Sequence, residues 1–268
     1  MIVKQLYRRF IAPFSGKYPF FGHWVFFPKN SLIIKILQQT GDFEPQTRQL
    51  LWQFARKNTT FFDVGANIGI LSVPILSLTQ DVDVVSFEPS PAVYPFLKKT
   101  WTHSPFQSRW HIVEKAVGNY EGTTPFSQHK KIGDDAFDGI RPTHRRGEAV
   151  TVEVPITTLD TVWRQRATPS VSVIKIDVEG SELAVLEGAS ACIEACSPII
   201  ITEWNRTNLS AYTVHPTALW DWAKANKYTL FMIPHLYQIN NPLALDAASS
   251  LLEYCLLIPN KIPIERRF

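Results

Sequence analysis

Apolar residues along the chain fall into two patterns. Short, β-branched runs recur at Thr60–Val64, Val82–Phe87, Trp110–Ala116, Val171–Asp177, Ile199–Glu203, Thr229–Ile233 and Glu253–Ile258, and each reads as a buried strand. Between them, helical spacing runs over Ile70–Ser77, Ala92–Thr102, Glu182–Cys192 and Pro216–Asn226, with an earlier helix over Pro45–Lys57. Strands alternating with helices predict an α/β protein whose mostly parallel sheet is covered on both faces. From Gly118 to Val150 the pattern gives way to Gly, Thr, His and charged residues, with a turn at Gly133, Asp134 and Asp135. Residues 118–150 are therefore expected to form a surface excursion after the third strand, and Val150–Ile156 alternates as a further strand. Residues 1–44, rich in aromatics with several Gly and Pro, read as a lid or edge extension to a main domain over 45–268.

Composition narrows the class. A chain of 268 residues with 45% hydrophobic content buries a large core without disulfides or a structural metal, and no linker or repeat divides it. The balance of 27 basic and 24 acidic residues, a formal charge of +3, argues against nucleic-acid binding by bulk electrostatics. Local basic clusters at Lys4, Arg8 and Arg9, at His144, Arg145 and Arg146, and at Arg266 and Arg267 read as solvated surface. The first alternates with Leu6, Tyr7 and Phe10, a pattern suited at most to weak peripheral membrane contact before Pro13 interrupts it. No apolar run reaches the roughly 18 residues of a membrane span, and no secretory leader is evident. Three cysteines cannot all pair, and Cys192 and Cys196 lie at helical spacing, so reduced thiols and a cytoplasmic setting are expected. None of this sets the oligomeric state.

The strongest chemical signal is Phe61-Phe62-Asp63-Val64-Gly65-Ala66-Asn67-Ile68-Gly69, an apolar strand that ends in Asp and passes through a small-residue turn into a helix. Gly65 and Gly69 allow a sharp turn and close approach to a ligand, beside the free N–H groups of a helix start. A dinucleotide fingerprint would need Gly where Asn67 stands, and a third Gly that is missing, so nicotinamide binding and an oxidoreductase are disfavoured. The second strand ends in Phe87-Glu88-Pro89, where an acid can accept hydrogen bonds from both ribose hydroxyls of a nucleoside.

A second signal is Val173-Ile174-Lys175-Ile176-Asp177-Val178-Glu179-Gly180, a buried strand, an acidic turn and a new helix. Where the strand order of a doubly wound sheet reverses, the end of this strand lies beside Gly65 and Asp177 faces the ligand crevice. A strand lysine such as Lys175 also fits simple pairing, and Glu179 fits a charge at a helix N-terminus.

Together, Asp63 to Gly69, Phe87-Glu88-Pro89 and Lys175-Ile176-Asp177-Val178-Glu179-Gly180 resemble the successive motifs of the FkbM family of class I methyltransferases. Gly41-Asp42-Phe43-Glu44-Pro45 resembles that family's entry segment, in which a Glu closes over the cofactor, and the resemblance runs from about Gly41 to Trp204. It implies a Rossmann-like, doubly wound seven-stranded sheet of order 3-2-1-4-5-7-6 with strand 7 antiparallel. It also implies S-adenosylmethionine (SAM) as methyl donor and a hydroxyl acceptor on a sugar, polyketide or similar metabolite. By the same resemblance, Asp63, Gly65, Asn67 and Gly69 serve the methionine end and the turn, Glu88 the ribose, and Asp177 the active site. Ala116 and Val117 would wall the adenine.

Methyl transfer needs orientation and a base for the acceptor proton. Asp177 and Glu203 end apolar strands at the carboxyl edge and are the leading carboxylates. His235 and His215 occupy later loops from which an imidazole reaches substrate in many enzymes. Asp177, Glu203 and Asn205 offer an alternative: hard oxygen ligands for Mg2+, which would lower the acceptor pKa. The late aromatics, Trp204, Trp220 and Trp222 among them, fit core packing as well as a substrate platform. A competing class is a non-catalytic SAM- or nucleoside-binding partner subunit.

Overall fold

The computed structural model describes residues 15–129, 138–142 and 149–262. The basic clusters at residues 4–9, 144–146 and 266–267 and the turn at Gly133–Asp135 lie outside them. Elements run in the order β1 (Lys17–Phe20), β2 (His23–Phe26), α1 (Leu32–Thr40), α2 (Pro45–Phe54), β3 (Thr59–Val64), α3 (Ser72–Leu78), β4 (Val82–Phe87), α4 (Tyr94–Thr102) and β5 (Trp110–Val113). They continue through β6 (Ala116–Gly118), β7 (Gly122–His129), β8 (Ala149–Thr158), α5 (Leu159–Gln165), β9 (Val171–Ile176), α6 (Glu182–Glu187), α7 (Ser190–Cys196) and β10 (Ile199–Glu203). The last are α8 (Arg206–Ala211), α9 (Ala218–Ala225), β11 (Tyr228–Ile233), β12 (Tyr237–Gln238), α10 (Pro242–Ala248) and β13 (Tyr254–Pro259).

The main sheet has the order β12-β11-β13-β10-β9-β3-β4-β5. It holds eight strands rather than the expected seven, because the two-residue β12 pairs antiparallel with β11 at the edge. β13 runs antiparallel to both β10 and β11, whereas β10, β9, β3, β4 and β5 pair in parallel. All six residues of β9 are buried, as a central parallel strand covered on both faces requires. Successive side chains of β3 enter opposite layers: Phe61 joins the core formed with α1 to α4, and Phe62 and Val64 join the core formed with α5 to α10. Each buried Phe contributes roughly 2 to 3 kcal/mol.

Several expected elements divide. The run Trp110–Ala116 splits into β5 and the start of β6, which leaves the main sheet for a three-stranded one of order β6-β8-β7. Here β7 and β8 form the hairpin of the 118–150 excursion, in register from Gly122 opposite Ile156 to His129 opposite Ala149. The helix expected over Glu182–Cys192 breaks after Glu187 into α6 and α7. Asp160, at the start of α5, supplies the second N-terminus: its carboxylate oxygens accept Ala191 N–H and Cys192 N–H, both at 2.8 Å. The three cysteines are free thiols.

The segment before α2 packs on the same core. Tyr18, Phe20, Val25, Ile33, Ile34 and Leu37 are buried with β3 and α3 residues. α1 ends where Gly41 adopts φ +81° and donates its N–H to Leu37 O at 2.9 Å. Leu32, Ile33 and Ile36 of α1 face the same cavity as Gly65, Glu88 and Asp177, at the carboxyl edge of the sheet.

Candidate functional site

The chain leaves β3 outward to β4 and β5 and returns on the other side to β9, so the strand order reverses between β3 and β9. Val64 is level with both Phe87 and Ile176 in the ladder. The next residue of each strand, Gly65, Glu88 and Asp177, therefore forms a row at the reversal. Above it lies a cavity of about 410 Å³ lined by all three, by Glu44, Asp63, Asn67, Lys175 and Glu203, and by apolar Leu32, Ile33 and Ile36 of α1.

The turn itself admits little besides Gly. Gly65 has φ +76°, and a Cβ there would stand 1.8 Å from the Asp177 carbonyl oxygen. Gly65 and Ala66 donate their N–H groups to Phe87 O at 3.1 and 2.9 Å. Asn67 tolerates φ 50° with its own Oδ1 accepting Ile68 N–H at 2.9 Å. Gly69, expected at the cofactor, instead packs on the core: a Cβ would meet the buried Trp110 ring at 2.9 Å. Trp110 Nε1–H donates to Ser86 Oγ at 2.8 Å, Ser86 and Ser72 hydroxyls share a 2.8 Å bond, and Ser72 Oγ–H donates to Asp63 Oδ2 at 2.5 Å. A buried polar chain thus anchors Asp63 from behind.

Glu88 is buried at 6% exposure, with Oε2 accepting Asn67 N–H at 2.9 Å and Oε1 accepting Ser90 N–H at 2.8 Å. Burial pushes its carboxyl up to about 8 despite these two donors. Lys175 donates to Gly65 O at 2.8 Å and lies 3.3 Å from Asp177 and 3.7 Å from Asp63. Burial alone would lower its pKa, but the charges of Asp177, Asp63 and Glu44 outweigh that and hold it above its ordinary value. Asp63 is raised, by burial first, and its Oδ1 has no hydrogen-bond partner. Glu44 is pushed up to about 7 by burial and by the Asp177 charge, and its Oε2 likewise lacks a partner.

On the far side, Glu203 Oε1 accepts Asn205 Nδ2–H at 2.7 Å and Oε2 accepts Asn208 Nδ2–H at 2.8 Å; the same Asn208 amide donates to Glu179 Oε2 at 2.8 Å. Asp177, Glu179 and Glu203 bring carboxylate oxygens within 4.8 Å of one another. Asn205 does not complete the expected cation set, because its Oδ1 caps α8 through Asn208 N–H at 2.9 Å. With amide donors already on Glu179 and Glu203, we assign no metal to the cluster.

Two further expectations are corrected. His235 is exposed and does not line the cavity. It follows β11, three strands from β9, or about 14 Å at 4.8 Å per strand. His215 is also exposed, with Nδ1 bonded to Thr217 Oγ1 at 2.8 Å. Ala116 and Val117 line a small side cavity of about 20 Å³, which shares Gly65, Pro89 and Val178 with the main one.

Sequence reasoning missed Tyr254 and Asp138. Tyr254 Oη–H lies 2.9 Å from Asp177 Oδ2 and 3.1 Å from Glu44 Oε1. An antiparallel last strand begins where its neighbours end, and that signal alone would have put Tyr254 at this edge, opposite Glu203. Asp138, from the excursion, accepts Ser90 Oγ–H at 3.0 Å and His129 N–H at 2.8 Å. No local pattern marks it.

A family model described as the methyltransferase FkbM domain matches residues 63–230. The methyltransferase sdnD of Sordaria araneosa is 24% identical over 156 residues, covering 49% of this chain and 60% of that protein. The hexuronic acid methyltransferase AglP of Haloferax volcanii is 23% identical over 165 residues, covering 59% and 61%. The chain thus spans about three fifths of the length of each relative. The crystal structure of an FkbM methyltransferase from Methylobacillus flagellatus KT aligns at a TM-score of 0.47 and 18% identity, over 75% of this chain and 43% of that one. With the family model spanning well over half of its residues, the chain belongs to the FkbM methyltransferase domain family.

Proposed function

We propose that the chain transfers a methyl group from SAM to a hydroxyl oxygen of a sugar, polyketide or related metabolite, with Asp177 taking the acceptor proton. The observation that carries this reading is the convergence of Gly65, Glu88 and Asp177 on a cavity whose described walls hold eight carboxylates and a single lysine. Such walls favour a cationic ligand, and the Glu44 and Glu88 carboxyls, raised by burial first and then by the acidic neighbours Asp177 and Asp138, would be relieved by one. Bound there, SAM supplies an electrophilic methyl group on a positively charged sulfonium.

The residues fit the cofactor. Each Glu88 oxygen accepts one backbone N–H and keeps capacity for one ribose hydroxyl. Glu44 Oε2, buried with no hydrogen bond, and Asp63 Oδ1, buried with only the Lys175 ammonium at 3.7 Å, suit an ammonium group. Lys175 is engaged with the turn and two carboxylates, so it holds the site rather than transferring protons. Asp177, with 23% of its side chain exposed, reaches the cavity as a base. Glu203, gripped by two amides, shapes the acceptor side.

The hexuronic acid in the Haloferax relative's name supports a sugar acceptor. No helix among the described residues is long and apolar enough to cross a membrane. The acceptor we propose is a small molecule or glycan, not a nucleic acid, met in the cytoplasm. Incubation with methyl-labelled SAM and a panel of neutral sugars, uronic acids and polyketide alcohols tests the reading. Label on a hydroxyl oxygen supports it, whereas SAM binding with no transfer to any acceptor favours a non-catalytic binder.

A further inference from the structure

We propose that Tyr254 is a positioning residue of the methyl-transfer site, holding Asp177 of β9 and Glu44 of the N-terminal segment at one point and thereby orienting Asp177 toward the acceptor. This rests on the SAM reading above. The phenol oxygen is 2.9 Å from Asp177 Oδ2 and 3.1 Å from Glu44 Oε1. Lys175 stands 3.3 Å from the same Asp177 oxygen. Phenol and ammonium together fix Oδ2 and leave Oδ1 for the acceptor.

A hydroxyl carries one proton and donates to one acceptor at a time. Both contacts form hydrogen bonds when a protonated Glu44 donates to the phenol oxygen and the phenol donates to Asp177. The phenol stays protonated, since burial and the charges of Asp177, Glu44 and Glu203 raise it well above its ordinary range. The groups facing this junction are Asp177 and Lys175 from β9, Asp63 from β3, Glu203 from β10, Glu253 beside Tyr254, and Glu44 itself. Lys175 is the only cation among them. Glu44 sits at φ 42°, ψ 56°, a left-handed conformation uncommon outside Gly, directly before α2. The bond to Tyr254 ties this strained residue to the sheet. A cation entering the cavity favours ionised Glu44, which then shares the hydrogen bond of the still-protonated phenol with Asp177, while Lys175 keeps its hold on Asp177 Oδ2.

Calorimetric titration with SAM from mildly acidic to mildly alkaline pH tests this in the unaltered chain, Tyr254→Phe and Glu44→Gln. Affinity in the unaltered chain should rise through a step near pH 7 as Glu44 ionises. In Tyr254→Phe the step moves up by roughly one pH unit, because ionised Glu44 loses a donor. In Glu44→Gln the step disappears. Glu88 titrates higher, at about 8, and its contribution should persist in all three proteins. A folded Tyr254→Phe protein with an unmoved step overturns the proposal. Should that variant fail to fold, a persisting step near 7 in Glu44→Gln overturns it equally. Failure of the unaltered chain to bind SAM at any pH overturns the functional reading and this one with it.

Discussion

Gly65 tolerates no side chain, because its neighbour across the strand reversal is backbone: the Asp177 carbonyl oxygen would sit 1.8 Å from a Cβ, and flexible atoms cannot give way there. Gly65→Ala should therefore lose cofactor binding and most of its stability, read by chemical denaturation; a folded, binding variant would contradict the turn geometry. Glu88→Ala should weaken SAM binding by on the order of 1 to 3 kcal/mol through lost hydrogen bonds to the ribose. Isothermal titration checks this, and an unchanged affinity removes Glu88 from the ribose. Asp177→Asn keeps the shape of a carboxylate without its basicity, so kcat should fall more than SAM affinity. The reverse pattern would make Asp177 a cofactor contact instead. The row Gly65, Glu88 and Asp177 was legible in the sequence, because each follows an apolar run and the reversal rule sets the three ends side by side. His235 was misplaced by the same rule: it too follows a strand, but one near the far edge of the sheet.

Among the elements, α5 and α7 show how much depends on contacts that local pattern does not reveal. One periodic helix was expected over Glu182–Cys192, yet the chain breaks after Glu187 and Asp160 caps the new start through Ala191 and Cys192 N–H groups. Asp160→Ala should cost about 1 to 2 kcal/mol, as loss of a buried cap does, while Asp160→Asn retains part of it; equal stability of all three in urea would contradict the cap. The strand of Glu253–Ile258 was legible from its apolar run, but periodicity does not say which end faces a cavity. The expected antiparallel last strand already implied that its first residues lie at the cavity edge, and the pairing of β13 with β10 sets Tyr254 there, level with Glu203. Helix α1 escaped notice for a different reason. Its buried stripe of Ile33, Ile34 and Leu37 lies in a segment dense with aromatics, where helical period is hard to separate from general hydrophobicity.

For the whole molecule, charge in the cavity ties stability to pH. Glu88 at about 8, and Glu44 and Glu182 at about 7, all lie above the ordinary carboxylate value through burial, so the folded chain holds protons that the unfolded chain has released. Stability should then fall as pH rises toward 8. His23 and His111, lowered by burial, act in the opposite sense only below their ordinary 6.5, so the fall is cleanest above it. Thermal melts should show a lower Tm at pH 8 than at pH 6.5, a gap that SAM narrows; a flat profile would mean that these carboxyls are not buried in solution. On this reading the cavity beneath α1, at the reversal between β3 and β9, binds SAM through Glu88. The most direct test is calorimetric titration of the unaltered chain and Glu88→Ala with SAM at neutral pH. Saturable binding at one site is expected in the first and clearly weaker binding in the second, whereas no heat from either, or identical affinity in both, would rule out SAM held at Glu88.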